Sequence, residues 1–311
     1  MGLLFFKPVP PEDSPPFFII AGPTACGKSE IAVRVAERCG GEIVGADAFQ
    51  VYEGLDILTA KPHRDLRDRI PHHGIGLVPL ARRFDVAQFV ALAHQCIAEI
   101  HERGKVAIVC GGTGLYVRAL LRGLADLPGA DAQLRTRLEA QPIEVLQSRL
   151  AELDPVASSQ IDLNNPRRLI RALEVCILTG QPFSSFRTEW EKTNGAARGV
   201  VLQRERSDLH QRIAERTNAM FAAGVEDEVR SVADIGPTAV QAIGFREIRE
   251  LIAGKRKREE CIRAIAEATR QYAKRQMTWF RRESGLETIE IAPTTEIDAL
   301  VEALALRAAA V

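Results

Sequence analysis

The stretch FFIIAGPTACGKS, residues 17–29, sets the fold class of this chain. An apolar run, Phe17 to Ala21, leads into the pattern G-x-x-x-x-G-K-S, and the segment that follows places four apolar residues on one helical face: Ile31, Ala32, Val35 and Ala36. Glycines in such a turn let backbone N–H groups converge on phosphate oxygens at the N-terminus of a helix. The sequence therefore predicts a strand, a phosphate-binding P-loop and a helix, in that order.

The loop is predicted to bind a diphosphate through eight residues: Gly22, Pro23, Thr24, Ala25, Cys26, Gly27, Lys28 and Ser29. The lysine adds a positive charge, and the hydroxyl of Ser29 can hold Mg²⁺ as a cofactor. The alternative is a glycine-rich turn without a ligand, which would leave Lys28 and the converging backbone donors without a partner. The loop itself does not say which diphosphate it binds.

Four more β-rich runs extend the strand prediction along the chain: Ile43 to Asp47, Val106 to Cys110, Gly199 to Gln203 and Glu287 to Ile291. The first two are each followed by a glycine-containing turn and a helical pattern, which is typical of parallel βαβ units. We predict an α/β fold, a P-loop NTPase-like parallel sheet flanked by helices. This core takes in residues 17–120 and 199–311.

Two segments fall outside the predicted core. Residues 1–16 are expected to form a disordered tail, and residues 121–198, which contain helical patterns and no strand pattern, are expected to form a helical insertion. One helix of this insertion has clear ends. Asn165 is its N-cap, Pro166 takes the first helical position, and Gly180 ends it as a left-handed cap after Thr179.

Composition excludes several classes of protein. The chain has 311 residues, 46% hydrophobic and 26% charged, with 41 Lys and Arg against 41 Asp and Glu. Zero net charge gives no overall attraction to nucleic acid or to an anionic membrane, so any such surface is a local patch. The six cysteines form no CxxC pair, which favours a cytoplasmic protein without structural zinc. No apolar run approaches the roughly 20 residues that span a bilayer.

Polar residues follow two of the predicted strands. Asp47 ends the second run, and Thr113 follows two glycines after Val106 to Cys110. Ligands bind beyond the carboxyl ends of strands in open parallel sheets, so both residues are expected to face the P-loop. Asp47 is interpreted as a Mg²⁺-binding carboxylate of a kinase, as a general base, or as a helix cap. Thr113 contacts the ligand or caps the next helix.

An arginine interrupts an apolar helical stripe. From Leu209 to Val229, a helical rotation aligns Leu209, Ile213 and Met220 with Arg216 between them. An arginine on a core-facing stripe needs an anion, which is either an internal Asp or Glu or a bound diphosphate. The diphosphate would engage the guanidinium through two hydrogen bonds and give Arg216 a role in stabilising the leaving group.

A second helical pattern, from Glu259 to Arg282, carries a row of positive charges beside its apolar stripe. The row consists of Arg263, Arg270, Lys274 and Arg281. Charges of one sign on one face suit a nucleic-acid backbone, and the alternative is a solvated face with acidic partners.

Several motifs occur in a fixed order along the chain: GPTACGKS (22–29), ADAFQVYEGLD (46–56), TAKP (59–62), PHH (71–73), GGTGLY (111–116), NPRRLIRALEV (165–175), QAIGFR (241–246) and YAKRQMTWFR (272–281). Together they resemble the motifs of bacterial tRNA dimethylallyltransferases, also called tRNA isopentenyltransferases. The resemblance covers most of the chain and implies transfer of a dimethylallyl group from dimethylallyl diphosphate to N6 of the adenosine 3′-adjacent to the tRNA anticodon.

The resemblance also implies that the helical insertion, residues 121–198, binds tRNA, and it implies roles for individual residues. Asp47 is the base at N6, and Thr24, Lys28, Ser29 and Arg216 hold the diphosphate with Mg²⁺; Thr113 joins Asp47 and Arg216 as a catalytic candidate. The positions that match tRNA contacts are Asp47, Ala48, Phe49, Gln50, Thr113, Arg135, Arg167, Arg168, Arg171, Gln241, Gly244 and Arg246. The expected partners are a tRNA anticodon stem-loop and dimethylallyl diphosphate, with no membrane, and the protein is expected to be a monomer.

The chain departs from the family pattern at four positions. It has Ala48 where Ser is common, Phe49 where a polar residue or Met is common, Leu58 in place of Gly, and Gly76 in place of Asp. These departures concern the placement of the donor and the adenine. The chain ends without the zinc-finger extension of eukaryotic members, so a bacterial member is expected.

Three other functions are compatible with parts of the pattern. A P-loop small-molecule kinase would use Asp47 for Mg²⁺ and would bind ATP. An enzyme that prenylates free AMP or ADP would leave the basic rows without a role. A nucleotide-regulated RNA-binding protein would bind a stem-loop without modifying a base.

Overall fold

A computed structural model of the protein describes residues 15–124, 127–186, 199–283 and 285–311. Of the predicted tail, residues 1–16, all but the last two lie outside this described part. The end of the predicted insertion, from 187 to 198, lies outside it as well. None of the helices in the described ranges is long and apolar enough to cross a membrane.

A parallel sheet organises the larger part of the chain. In the described residues its strands are β1 (Phe18–Ala21), β2 (Gly41–Gly45), β3 (His72–His73), β4 (Val106–Gly111), β5 (Gly199–Gln203) and β6 (Glu287–Glu290). They are hydrogen-bonded in the order β3-β2-β4-β1-β5-β6, and each neighbouring pair is parallel. The predicted α/β class is confirmed. Sequence patterns missed β3 because two residues are too few to show a strand period.

Helices alternate with the strands or follow them. Their bounds are α1 (Lys28–Cys39), α2 (Arg64–Arg69), α3 (Val86–Glu102), α4 (Gly114–Arg122), α5 (Ala132–Glu139), α6 (Ile143–Leu153), α7 (Pro155–Gln160), α8 (Pro166–Thr179), α9 (Arg206–Ala222), α10 (Val225–Arg230), α11 (Phe245–Ile252), α12 (Arg258–Phe280) and α13 (Ile297–Ala309). The pattern predicted as continuous from Leu209 to Val229 is divided between α9 and α10. Gly224, at φ 89°, adopts a left-handed conformation that ends the first helix and precedes the second.

The sheet is buried on both faces. Alternate strand residues such as Phe18, Ile20 and Ile108 join α1 and α13 in one apolar cluster. The residues between them, including Ile19 and Val109, point to the opposite face and are also fully buried. Burial on both faces explains why these strands read as continuous apolar runs.

The order of the strands fixes where a ligand can bind. After β1 the chain passes β4 to reach β2, and after β4 it passes β1 in the other direction to reach β5. The strand order therefore reverses between β1 and β4. Parallel α/β sheets bind ligands beyond the carboxyl ends of their strands at such a point. The P-loop lies there, between β1 and α1.

The described residues of the segment Arg122–Gly195 form a second compact unit. Helices α5, α6 and α8 enclose an apolar cluster that includes Leu138, Leu150, Leu169 and Leu173. The predicted ends of α8 are confirmed: the side chain of Asn165 accepts a hydrogen bond from the Arg168 backbone N–H, and Gly180 has φ 68°.

A buried carboxylate organises this second unit. Glu174 accepts hydrogen bonds from the backbone N–H of Asp131 at 2.8 Å, from Arg135 at 2.9 Å through two nitrogens, and from Arg171 at 2.5 Å. Burial raises the pKa of Glu174, but the hydrogen bonds from the two arginines outweigh it and hold the pKa below its usual value. Both arginines were predicted to contact tRNA, and here they compensate an internal charge.

Replacing Glu174 with Gln is expected to lower the free energy of unfolding of this unit by roughly 2 kcal/mol at pH 7. Removing one partner of a buried ion pair costs about 3–5 kcal/mol, and the loss is smaller here because both guanidinium groups are partly exposed. Because the folded pKa is lowered, the stabilisation is present above the unfolded pKa and is lost as the pH falls through the folded value.

Urea denaturation of Glu174→Gln beside the wild type, at pH 7 and near pH 4, measures this difference. Glu152→Gln, on the exposed face of α6, serves as the matched control. A difference that does not shrink at the lower pH contradicts the assignment of the stabilisation to the ionised carboxylate.

Candidate active site

The P-loop has the backbone geometry of an anion-binding turn. Ala25 at φ 65° and Gly27 at φ 93° adopt left-handed conformations, and α1 begins directly after them at Lys28. Alternating backbone handedness turns successive N–H groups towards one point, and the N-terminus of α1 adds its dipole there. Gly22 is required for a different reason, because a Cβ at this position would lie 2.5 Å from the carbonyl oxygen of Leu202.

Three arginines hold the P-loop from the side of α9. Arg204 donates to the carbonyl oxygen of Cys26 at 2.8 Å, Arg212 to that of Ala25 at 2.9 Å, and Arg216 to the hydroxyl of Thr24 at 2.7 Å. Of the three, only Arg216 is predicted from the sequence. Arg212 lies four residues earlier and therefore on the same helical face, which is the signal that could have revealed it.

The charges around the loop are only partly compensated. Arg204 forms an ion pair with Asp208 at 2.9 Å. In the described ranges, no carboxylate lies within ion-pair distance of Arg212 or Arg216. Burial lowers the pKa of Arg216, and the Asp47 carboxylate has the opposite effect. An internal acidic partner for Arg216, the alternative considered from sequence, is therefore not found in the described part of the chain.

Asp47 lies two residues beyond β2, in a turn that fixes its carboxylate. One carboxylate oxygen, Oδ1, accepts hydrogen bonds from the backbone N–H groups of Phe49 at 2.9 Å and Gln50 at 3.2 Å. The side chain thus caps its own turn and not a helix, since the next helix, α2, begins at Arg64. The residue also lines a cavity shared with the P-loop.

Thr113 connects this turn to β4. Its hydroxyl accepts a hydrogen bond from the backbone N–H of Ala48 at 3.0 Å, and its own N–H donates to the carbonyl of Ala46 at 3.2 Å. The two strand ends approach closely, since a Cβ on Gly111 would lie 2.1 Å from the carbonyl oxygen of Ala46. Glycine at this position therefore brings Thr113 against the Asp47 turn.

A cavity of about 350 Å³ joins these groups. Its polar lining includes Thr24, Lys28, Ser29, Glu30, Asp47, Arg212, Arg216, Tyr272 and Gln276. Its apolar lining includes Phe49, Leu58, Met220, Ala242, Ile243 and Ile265. Burial, and then the Asp47 carboxylate, raise the pKa of Tyr272 to about 12, so its hydroxyl stays protonated at neutral pH. The cavity thus has cationic, acidic and apolar surfaces.

Other predicted contact residues lie on the same unit. The Gln50 amide donates to the carbonyl oxygens of Thr59 at 3.2 Å and Ala60 at 2.9 Å. Gly244, at φ 96°, caps α11 beside Leu58, and Gln241 is exposed at the end of a short 3-10 helix. These positions adjoin the cavity, which Ala242 and Ile243 line directly.

The predicted basic row on α12 is partly paired. Arg270 forms an ion pair with Glu267 at 2.8 Å, while Lys274 and Arg281 are exposed. Arg246, on α11, pairs with Glu247 at 3.2 Å. In the second unit, Arg167 and Arg168 are exposed at the start of α8. The exposed members of these sets are the cations that remain available to a phosphate backbone.

Metal ligands are few in the residues that the structure describes. No group of three or more His, Cys, Asp or Glu side chains in this part of the chain could hold a metal ion. Ser29 lies in the first turn of α1 and lines the cavity. A site with one protein hydroxyl fits Mg²⁺, which takes its remaining ligands from phosphate oxygens and water.

The sheet is parallel, and the P-loop lies at the point where its strand order reverses. These two features define the chain as a P-loop α/β protein. The family model described as "IPP transferase" matches residues 50–283, and the one described as "Isopentenyl transferase" matches residues 15–67. The chain belongs to the tRNA dimethylallyltransferase family, as its motifs predicted.

Individual relatives agree with this assignment. The chain is 44% identical to a tRNA dimethylallyltransferase of Geobacter metallireducens over 291 residues, 90% of this chain and 94% of the relative. The structure of a full-length tRNA isopentenylpyrophosphate transferase from Bacillus halodurans has a TM-score of 0.66 at 36% identity and covers 94% of this chain and 96% of its own. The structure of a eukaryotic dimethylallyltransferase acting on tRNA has a TM-score of 0.78 at 27% identity, and the match covers 93% of this chain and 77% of the eukaryotic chain.

Proposed function

We propose that this chain transfers a dimethylallyl group from dimethylallyl diphosphate to N6 of the adenosine 3′-adjacent to the anticodon of tRNA. One observation carries the proposal: Asp47 and the cation-rich P-loop line the same cavity, together with an apolar surface. A diphosphate, a prenyl group and an adenine amine need these three surfaces. The proposal includes a cytoplasmic location and a monomeric state.

The part of the cavity beside the P-loop binds the diphosphate of the prenyl donor. The converging N–H groups of the P-loop, Lys28, Arg212 and Arg216 provide donors and positive charge with few internal anions. As the bond between the allylic carbon and the diphosphate oxygen breaks, negative charge develops on that oxygen. Arg216 and Lys28 stabilise this charge, which lowers the barrier to departure.

The acceptor side orients the amine. The bonds to Oδ1 fix the carboxylate of Asp47, and its second oxygen accepts the hydrogen bond from N6. N6 attacks the allylic carbon from the side opposite the diphosphate, and its proton passes to Asp47 as the new carbon–nitrogen bond forms. The adenine must leave its stack to reach the cavity, which costs a few kcal/mol offset by contacts with the anticodon loop.

Magnesium is proposed as the cofactor. Ser29 would hold the ion at the start of α1, where it would neutralise part of the diphosphate charge. The expectation is a reaction that stops when EDTA is added and resumes with excess Mg²⁺.

One incubation tests the proposed function. The protein is mixed with dimethylallyl diphosphate, Mg²⁺ and unmodified tRNA, and the digested tRNA is examined by nucleoside mass spectrometry. We expect dimethylallyl-adenosine among the nucleosides, and mass spectrometry of nuclease fragments of the same tRNA should place it next to the anticodon. Parallel reactions with γ-labelled ATP and with free AMP would identify a kinase or a free-nucleotide prenyltransferase. Either of these activities, found while the tRNA stays unmodified, contradicts the proposal.

The apolar surface of the cavity is suited to the prenyl group. Leu58, Met220, Ala242 and Ile265 belong to one buried apolar cluster. Met220 lies one helical turn, about 6 Å, beyond Arg216 on α9, so the lining changes from cationic to apolar over a short distance. The Leu58 segment is fixed, because the Glu228 carboxylate accepts from the backbone N–H groups of Ile57 and Leu58, both at 2.8 Å.

Replacing Leu58 with Ala is expected to let the enzyme use geranyl diphosphate, which has one more isoprene unit. The ratio of C10 to C5 transfer should rise by roughly tenfold or more, because each methylene fitted into an apolar pocket changes selectivity by about 10- to 200-fold. Competition between the two donors, read by nucleoside mass spectrometry, measures the ratio.

Leu55→Ala is the matched control, since Leu55 is as deeply buried in the same cluster but does not line the cavity. Both variants lose stability as buried leucines do. An equal rise in the ratio for Leu55→Ala, or no rise for Leu58→Ala, contradicts the assignment of the prenyl group to this surface.

A further inference from the structure

Helix α12 places a buried amide between two loops of the cavity. Gln276 is 5% exposed and lines the cavity one turn after Tyr272. It belongs to the YAKRQMTWFR motif but not to the positive row or to the apolar stripe of that helix. Gln276 takes no part in the mechanism proposed above for Asp47, Lys28 and Arg216.

The hydrogen bonds of Gln276 use both ends of its amide. Oε1 accepts from the backbone N–H of Thr24 at 2.9 Å, and Nε2 donates to the carbonyl oxygen of Gly112 at 2.8 Å. A donor on one side and an acceptor on the other fix which end of the amide faces which loop. A Cβ at position 112 would lie 2.3 Å from Nε2, so glycine there is what allows the close approach.

Of the two loops that Gln276 joins, one is proposed to bind the diphosphate and the other supports the turn that contains Asp47. Thr24 belongs to the P-loop and receives Arg216 on its hydroxyl. Gly112 precedes Thr113, whose hydroxyl holds the Ala48 N–H of the Asp47 turn. The amide is therefore a short, buried connection between the diphosphate cradle, which is the P-loop of residues 22–29, and the Asp47 turn.

We infer that Gln276 is a positioning residue that sets the distance between the diphosphate cradle and the Asp47 carboxylate. The inference rests on the proposed function. On this inference Gln276 does not contact the reacting atoms. Its Thr24 bond occupies one P-loop N–H, and the Cys26 N–H donates to the carbonyl of Pro23 at 3.4 Å, so phosphate is bound by N–H groups of the loop other than these two. Its loss should therefore displace the allylic carbon relative to N6 more than it weakens donor binding. A misplacement of about 1 Å reduces rates by about 100-fold.

The first test replaces Gln276 with Met, which keeps the length of the side chain and removes both hydrogen bonds. We expect kcat to fall roughly 100-fold while the dissociation constant of dimethylallyl diphosphate changes less than about threefold. Gln271→Met, on the exposed side of the same helix, is the control and should keep wild-type kcat. A loss of donor affinity as large as the loss of kcat overturns the inference.

The second test replaces Gln276 with Glu and follows activity with pH. A neutral carboxyl accepts from Thr24 and donates to Gly112, as the amide does, whereas an ionised one places an oxygen acceptor against the Gly112 carbonyl. Burial favours the neutral form, and its population grows as the pH falls. The ratio of variant to wild-type kcat should rise about tenfold between pH 8 and pH 6, and a ratio independent of pH overturns the inference.

Wild-type activity at each pH is the reference, because both proteins have the same other charged and titratable groups around the cavity. These are Tyr272 on α12, Arg212 and Arg216 on α9, Lys28 and Glu30 on α1, Asp47 after β2, His72 on β3 and Cys110 on β4. Thermal unfolding checks that each variant is folded, and the pH ratio of the Glu variant remains decisive if the Met variant does not fold. The proposed function fails separately, if the wild type itself forms no modified base.

Discussion

Replacement of Asp47 with Asn is expected to reduce turnover by roughly 1,000-fold. An amide can keep the hydrogen bonds from Phe49 and Gln50 through its oxygen, but it cannot take the N6 proton. General-base catalysis contributes about 10²–10⁴-fold, so the loss falls within that range. Single-turnover assays with saturating tRNA and dimethylallyl diphosphate measure the rate of the chemical step.

Donor binding separates this effect from damage to the site. The dissociation constant of dimethylallyl diphosphate should stay within about threefold of wild type, because Asp47 lies on the acceptor side. Asp298→Asn, on the exposed surface of α13, is the control and should be fully active. Full activity of Asp47→Asn would remove Asp47 from the mechanism as the base.

Replacement of Arg216 with Ala is expected to lower kcat/KM by roughly 100- to 1,000-fold, the range seen when one donor to a developing anion is removed. Unlike the Asp47 variant, this variant should also bind inorganic diphosphate more weakly, by about tenfold or more, because the guanidinium binds the ground state as well. Steady-state kinetics and calorimetry with diphosphate measure the two effects.

Two further variants make the Arg216 result specific. Arg216→Lys should recover part of the activity, since lysine restores the charge but not the planar pair of donors. Arg206→Ala, on the exposed first turn of the same helix, should bind diphosphate normally. Wild-type diphosphate affinity in Arg216→Ala would contradict a contact between Arg216 and the donor.

The structure divides the predicted tRNA-contacting cations into two groups. Arg135 and Arg171 compensate the buried Glu174, and Arg270 pairs with Glu267. Arg167, Arg168, Lys274 and Arg281 are exposed. The pairs Arg171–Glu174 and Arg270–Glu267 are three residues apart on one helix, so their spacing was visible in the sequence. The contact of Arg135 with Glu174, 39 residues away, required the tertiary structure. All of these residues remain predicted tRNA contacts.

Local signals were sufficient for much of the fold. The P-loop pattern between an apolar run and an amphipathic segment predicted β1, the loop and α1, and capping residues predicted both ends of α8. Such features depend on residues a few positions apart, so sequence contains them directly. The strand β3 and the break at Gly224 were missed, since the first is too short for a period and the second interrupts an otherwise continuous pattern.

The sequence by itself determined the family, the α/β class, and the presence of a P-loop with an aspartate and a threonine at strand ends. Only the tertiary structure revealed that Arg204 and Arg212 hold the P-loop and that Gln276, 252 residues away from Thr24 along the chain, connects the loop to the opposite side of the cavity. The physical reason is that these contacts arise from the packing of α9 and α12 beside the sheet. Packing depends on residues far apart in sequence. A local pattern can place Arg212 on the same helical face as Arg216, but it does not show what either residue contacts.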